Sequence, residues 1–233
     1  ACAPITVYAL RKDGFDGPVT VNIKGADGIF SLGGNVVPAG TDCVKMTLAA
    51  PRAALKEPVN LAMEGAAEIG GRKVTRAAEP ADDMMQAFIY RHLVVAKSFK
   101  VVVTGGYSSR LVSVASATPV KIPSGGEVKV EFALPYAYTA KGKGKTSQAG
   151  EIQLELVDAP EGITIASSAL HGPKPTITLK ADAAKIKPPL RGNLIVNVFV
   201  EREAPASKES TKMVKRRWLA GTLPALPFEV VGK

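Results

Sequence analysis

Arg11-Lys12-Asp13-Gly14-Phe15-Asp16-Gly17-Pro18-Val19-Thr20-Val21 reads as strand, tight polar turn, strand. Asp-Gly occurs twice within five residues, and each pair is a turn signal: glycine supplies positive φ, and aspartate bonds its own backbone. Upstream, Ile5, Val7 and Ala9 alternate with Thr6, Tyr8 and Leu10. Downstream, Val19, Val21 and Ile23 alternate with Thr20, Asn22 and Lys24. A period of two with one apolar face is the mark of a half-buried antiparallel strand.

The second half of this stretch returns far downstream as Gly150-Glu151-Ile152-Gln153-Leu154-Glu155-Leu156. Registering the two halves extends the match. Ala26-Asp27-Gly28-Ile29 meets Ala159-Pro160-Glu161-Gly162-Ile163, one residue longer. Thr47-Leu48 meets Thr178-Leu179, and Asn60-Leu61 meets Asn193-Leu194. The order and near-constant offset of these blocks make the chain a repeat of two β modules. The loop that is short in the first copy, residues 11–16, is long in the second, residues 135–149. The second copy is also preceded by residues 98–127, with room for at least one further strand. Nothing comparable precedes Ile5, so the first module is expected to lack its opening strand.

The remaining pattern is consistent with that division. Val44, Met46 and Leu48 share a face, as do Val59, Leu61 and Met63. Gly70-Gly71 is a hairpin signal. Val128, Val130, Phe132 and Leu134 form the clearest alternating strand. Residues 194–200 are apolar on both faces except at Asn197, as expected of a central strand, and strands are also expected over 213–219 and 228–231. Only 82–88 admits a short helical turn, with a solvated loop the preferred reading. Short strands with turn signals every 8–12 residues point to β-sandwiches. The expected fold is all-β: two tandem immunoglobulin-like sandwiches, mostly antiparallel, over residues 1–97 and 98–233, with a long basic loop at 136–149.

Composition agrees. The chain has 233 residues, enough for two modules of about 100, and only 6% aromatics. Its formal net charge of +9 is spread along the chain. Nucleic-acid binders concentrate such charge on one element, so nucleic acid is not expected as a partner; no run approaches the length of a transmembrane helix, so membrane insertion is not expected either. Cys2 and Cys43 lie near strands of one module. A disulfide there would close a loop of about 40 residues, worth roughly 4 kcal/mol in the chain-entropy model. The alternative is two buried free thiols.

The run Val7-Tyr8-Ala9-Leu10-Arg11-Lys12-Asp13-Gly14-Phe15-Asp16-Gly17-Pro18-Val19 resembles a motif of tandem Ig-like modules in large exported bacterial proteins, of the kind that also carry pre-peptidase C-terminal-type domains. Residues 80–94, beginning Pro80-Ala81-Asp82-Asp83-Met84-Met85, resemble the segment that closes the first module there. The resemblance implies a periplasmic or cell-surface location, neighbouring domains in a longer polypeptide, and an accessory, non-catalytic role.

No catalytic constellation emerges from the residues. Gly142-Lys143-Gly144-Lys145-Thr146-Ser147 suggests a phosphate loop, but Thr139 stands where the leading glycine is required. His92 and His171 lie one per half, outside any nucleophile context and without close metal-ligand spacing. No cofactor or metal is expected. The candidate ligand-contacting residues are Tyr136, Tyr138, Lys141, Lys143 and Lys145 in the long loop, and Trp218 among Lys215, Arg216 and Arg217. They offer aromatic platforms beside cations, which suits a glycan. The expected function is a spacer or interaction module, with a carbohydrate-binding accessory module as the alternative.

Overall fold

Period-two alternation becomes strand throughout the computed structural model, which describes residues 2–26, 28–51, 53–87, 89–104, 113–133, 151–170, 174–205 and 213–232; among these no residue is helical. The first module contains β1 (Cys2–Tyr8), β2 (Val19–Lys24), β3 (Ser31–Gly33), β4 (Val36–Val37), β5 (Cys43–Ala49), β6 (Val59–Asn60), β7 (Ala62–Ile69), β8 (Arg72–Ala78), β9 (Ala81–Met85), β10 (Arg91–Val95) and β11 (Lys100–Val101). The second contains β12 (Ser113–Val114), β13 (Val120–Pro123), β14 (Glu127–Ala133), β15 (Glu151–Val157), β16 (Ile163–Ala169), β17 (Thr176–Ala181), β18 (Leu190–Pro205), β19 (Met213–Thr222) and β20 (Leu226–Val231).

Strand pairing identifies the second module. One sheet runs β12-β14-β17-β16, and the other runs β13-β20-β18-β15, with β19 also on β18. Lettered in chain order, these are the A-B-E-D and G-F-C sheets of an immunoglobulin-like sandwich. The short β13 is a second opening strand that crosses over to pair in parallel with β20. Val130, Phe132, Ile177, Leu179, Leu194, Val196, Leu226 and Phe228 fill the space between the sheets. Leu194, Ile195 and Val196 are all buried, so β18 is covered on both faces as its composition requires.

The first module repeats the plan with fewer strands. Its sheets run β1-β5-β3 and β4-β2-β7-β8, and β6 pairs with β11. In the repeat register these occupy the B-E-D and C-F-G places; among the described residues no strand corresponds to β12 or β13. The core is built by Phe30, Leu48 and Leu61 and, beside them, Val21, Val37 and Met46. Val103 belongs to this core and Phe99 and Val101 pack against it, while Lys100 and Val101 pair with Asn60 and Val59. Residues 99–103 thus pack and pair with the first module's strands.

Residues 81–85 form neither a helical turn nor a loop. They are β9, paired antiparallel with β10 as a separate hairpin. The cross-strand bonds continue past the ladder: Gln86 N–H donates to Tyr90 C=O, and Ala96 N–H to Pro80 C=O.

The Asp-Gly-Phe-Asp-Gly turn is organised by Arg11. Its side chain is 12% exposed, and its guanidinium donates to the carbonyls of Gly17 (2.6 Å), Pro38 (2.8 Å) and Thr41 (2.9 Å). Asp42 lies 3.2 Å away, and the Phe15 ring sits under the cation at 5.6 Å. Asp16 receives the Gly40 amide at 3.0 Å. One side chain thus holds the 11–17 turn against the 38–42 turn.

The two cysteines are not bridged. Cys2 stands opposite Ala49 and Tyr8 opposite Cys43, so the cysteines sit at opposite ends of the β1–β5 ladder. Six residues of strand separate them, roughly 20 Å, where a disulfide needs Cα atoms within about 7 Å. Both are free thiols, Cys2 half-buried and Cys43 exposed.

Candidate functional site at the joint between the modules

The joint sets side chains of strands β5 and β18 against turns of the other module. Asn193, on β18, sends both amide hydrogens into the first module: Nδ2 donates to Gly34 C=O at 2.6 Å and to Lys45 C=O at 2.9 Å. Thr47, on β5 and fully buried, accepts the Ala225 amide at 2.8 Å through Oγ1. Lys45 forms an ion pair with Asp158 at the periphery. Glycine makes the approach possible. A Cβ on Gly33 would lie 2.6 Å from Thr47 Oγ1, and Gly34, at φ +66°, would drive one into the Asn193 side chain.

Beside these contacts lies a cleft of about 930 Å³. Leu32, Pro38, Pro119, Pro227 and Phe228 supply its apolar lining, and Ser31, Asn35 and Ser116 its polar points. β3, an edge strand, lines one wall. Arg191 stands at the cleft with both Nε (2.9 Å) and Nη2 (2.7 Å) on one oxygen of Glu229, its cross-strand partner, so the two charges there answer each other. Clefts of this size between domains, mostly apolar with a few fixed polar groups, are the usual form of a binding site. The Cys2 thiol, at the same cleft, has its pKa pushed up by burial. Cys43 is also raised by burial, with a hydrogen bond from Tyr8 acting the other way.

Among the described residues nominated from sequence, Cys2 alone lines the cleft. Tyr136, Tyr138, Lys141, Lys143 and Lys145 lie outside the described residues, as does His171. Trp218 is half-buried on β19 opposite Val200 and does not line the cleft. Next to it, Arg217 lies over the Phe199 ring at 3.7 Å and holds Glu155 at 2.5 Å. That aromatic face is therefore already covered by a cation. His92 is exposed on β10. Among the described residues no group of three or more His, Cys, Asp or Glu could hold a metal ion, and no helix is long and apolar enough to cross a membrane. Sequence reasoning missed Thr47 and Asn193 as functional residues, although both stand in matched blocks of the repeat.

No protein family and no curated protein matches the chain. Among solved structures, the crystal structure of Dpr2 Ig1-Ig2 in complex with DIP-Theta Ig1-Ig3 aligns with 100% of this chain and 91% of that chain, at 14% identity and a TM-score of 0.26. The immunoglobulin-like assignment rests on the A-B-E-D and G-F-C pairing of the strands themselves.

Proposed function

We propose that the chain is a non-catalytic spacer and interaction segment of an exported or cell-surface bacterial protein, in which two Ig-like sandwiches are held at a fixed angle. The observation that carries this reading is the joint: Asn193 on two carbonyls of the first module, and Thr47 on an amide of the second. Contacts between domains of one chain are ordinarily small and polar, and relative motion is the default. Here a buried hydroxyl and a doubly donating amide specify one docking geometry, which serves a rod or a presenting platform. The exported location rests on the resemblance of residues 7–19 and 80–94, and the interaction role on the cleft beside the joint.

The test is a distance distribution between spin labels placed on Lys73 in the first module and Lys121 in the second, both exposed. A single narrow distribution, broadened by Asn193→Ala, supports a fixed spacer. A broad distribution in the unmodified protein would refute it. Fractionation of the source cells tests the location, and recovery in the cytoplasm would overturn that part.

A further inference from the structure

The β9–β10 hairpin has no buried side. Every residue of both strands is exposed, yet the hairpin is rich in large apolar side chains. Met84, Met85, Ile89, Tyr90, Leu93, Val94 and Val95 are all exposed, with Ile89 at 87% and Tyr90 at 71%. An isolated two-stranded hairpin is marginally stable in water. Met85, Leu93 and Val95 share one face of it and Met84 and Val94 the other, and large apolar side chains exposed together in this way mark an interaction surface.

The backbone says which edge is available. Gln86 N–H bonds Tyr90 C=O, and Ala96 N–H bonds Pro80 C=O. Tyr90 and Ala96 therefore turn their backbone groups toward β9, and by strand alternation so do His92 and Val94. Arg91, Leu93 and Val95 turn theirs outward. The two-stranded sheet ends there, with no further strand on β10 among the described residues.

We propose that this edge pairs with the same edge of a second copy of the chain, β10 antiparallel to β10, about a two-fold axis at Leu93. The register is self-complementary. Leu93 meets its own copy, and Arg91 meets Val95 in both directions, so each outward N–H and C=O finds a partner. The charges select this edge over the other. On β10 the residue at the axis is the uncharged Leu93, and Arg91, which holds Asp83 within its own hairpin at 2.8 Å, faces Val95 rather than its own copy. The outer edge of β9, by the same alternation, presents Ala81, Asp83 and Met85. A two-fold axis there would set Asp83 against Asp83, and like charges directly opposite are destabilising. Pairing β9 with a neighbour's β10 would be head-to-tail and would not close into a dimer. The inference is independent of the spacer reading and stands or falls separately from it.

Sedimentation equilibrium at 0.15 M salt, over a concentration range reaching about 100 µM, tests it; salt at this level screens the repulsion between two chains of +9. The expected result is a species of twice the chain mass. Leu93→Lys puts two ammonium groups against each other at the axis, and Val95→Pro removes an outward N–H while leaving the hairpin's own bonds intact. Each should weaken self-association at least tenfold, with the melting temperature at low concentration unchanged because neither residue packs in a core. A wild-type chain that stays at monomer mass overturns the proposal. So does a dimer that survives both substitutions, or assembly beyond two chains. Co-flotation of a monomeric wild-type chain with neutral phosphatidylcholine vesicles, lost in Ile89→Asp, would assign the hairpin to a lipid surface instead.

Discussion

Thr47→Val is the sharpest test of the joint, because simple burial arguments give the opposite sign. Thr47 is completely buried, and valine has nearly its shape. Replacing hydroxyl by methyl adds apolar contact worth about 0.8 kcal/mol. It also removes the acceptor of the Ala225 amide, which is bound at 2.8 Å. A buried donor left without a partner costs about 1–3 kcal/mol. The donor wins, and the net destabilisation is about 0.2–2 kcal/mol. At about 2–4 °C per kcal/mol for a chain of this size, the melting temperature falls by up to roughly 8 °C. Water can reach the amide only if the joint opens, so the change also appears locally. Amide hydrogen exchange by mass spectrometry should show Ala225 protected in the wild type, unprotected in Thr47→Val, and protected again in Thr47→Ser, which keeps the oxygen and loses only a methyl. An unchanged or raised melting temperature, with Ala225 still protected in Thr47→Val, would refute the assignment of the joint to this hydrogen bond.

Asn193→Ala removes two donations at once and should cost about 2 kcal/mol, read from urea unfolding. Gly34→Ala should cost more than 1 kcal/mol, since it forces alanine to φ +66° and into the Asn193 side chain; the penalty should shrink when Asn193 is already alanine, and strict additivity would count against the contact. Arg11→Ala leaves three carbonyls without their shared donor and should destabilise by about 2–4 kcal/mol; a loss under 0.5 kcal/mol would show that water replaces it. Both cysteines should titrate as thiols in denaturant without reductant, and recovery of none would restore the bridge. Because burial raises the Cys2 pKa, its thiolate forms only at higher pH, and its alkylation rate in the native protein should level off at a higher pH than the same thiol shows in denaturant. Coincident native and denatured pH profiles would place the thiol in solvent.

The strands that bury a face could be read from the chain. In β14, Val128, Val130 and Phe132 alternate because one side meets the core. In β18, apolar residues are nearly continuous because both sides do. β9 failed this reading for the same physical reason: with neither face buried, nothing imposes a period on Asp82-Asp83-Met84-Met85. The cysteines were placed in the right module, but their pairing depended on the β1–β5 register, which spacing along the chain does not reveal. The joint was hidden differently. Asn60 and Asn193 occupy equivalent places in the repeat, yet Asn60 is exposed and Asn193 docks the other module. Identical residues at matched positions acquire different work from what is set against them, and that partner lies 148 or more positions away.

Among the described residues, the joint is made by side chains of β5 and β18 reaching turns of the other module at Gly34, Asp158 and Ala225. In effect the molecule is a heterodimer of its own halves, joined in one chain. A covalent connection supplies an effective concentration in the millimolar range, so halves with an intrinsic Kd of only about 0.1 mM would remain docked roughly nine-tenths of the time. Such a joint needs little affinity to stay closed, and a modest load or a competing ligand in the cleft would suffice to open it.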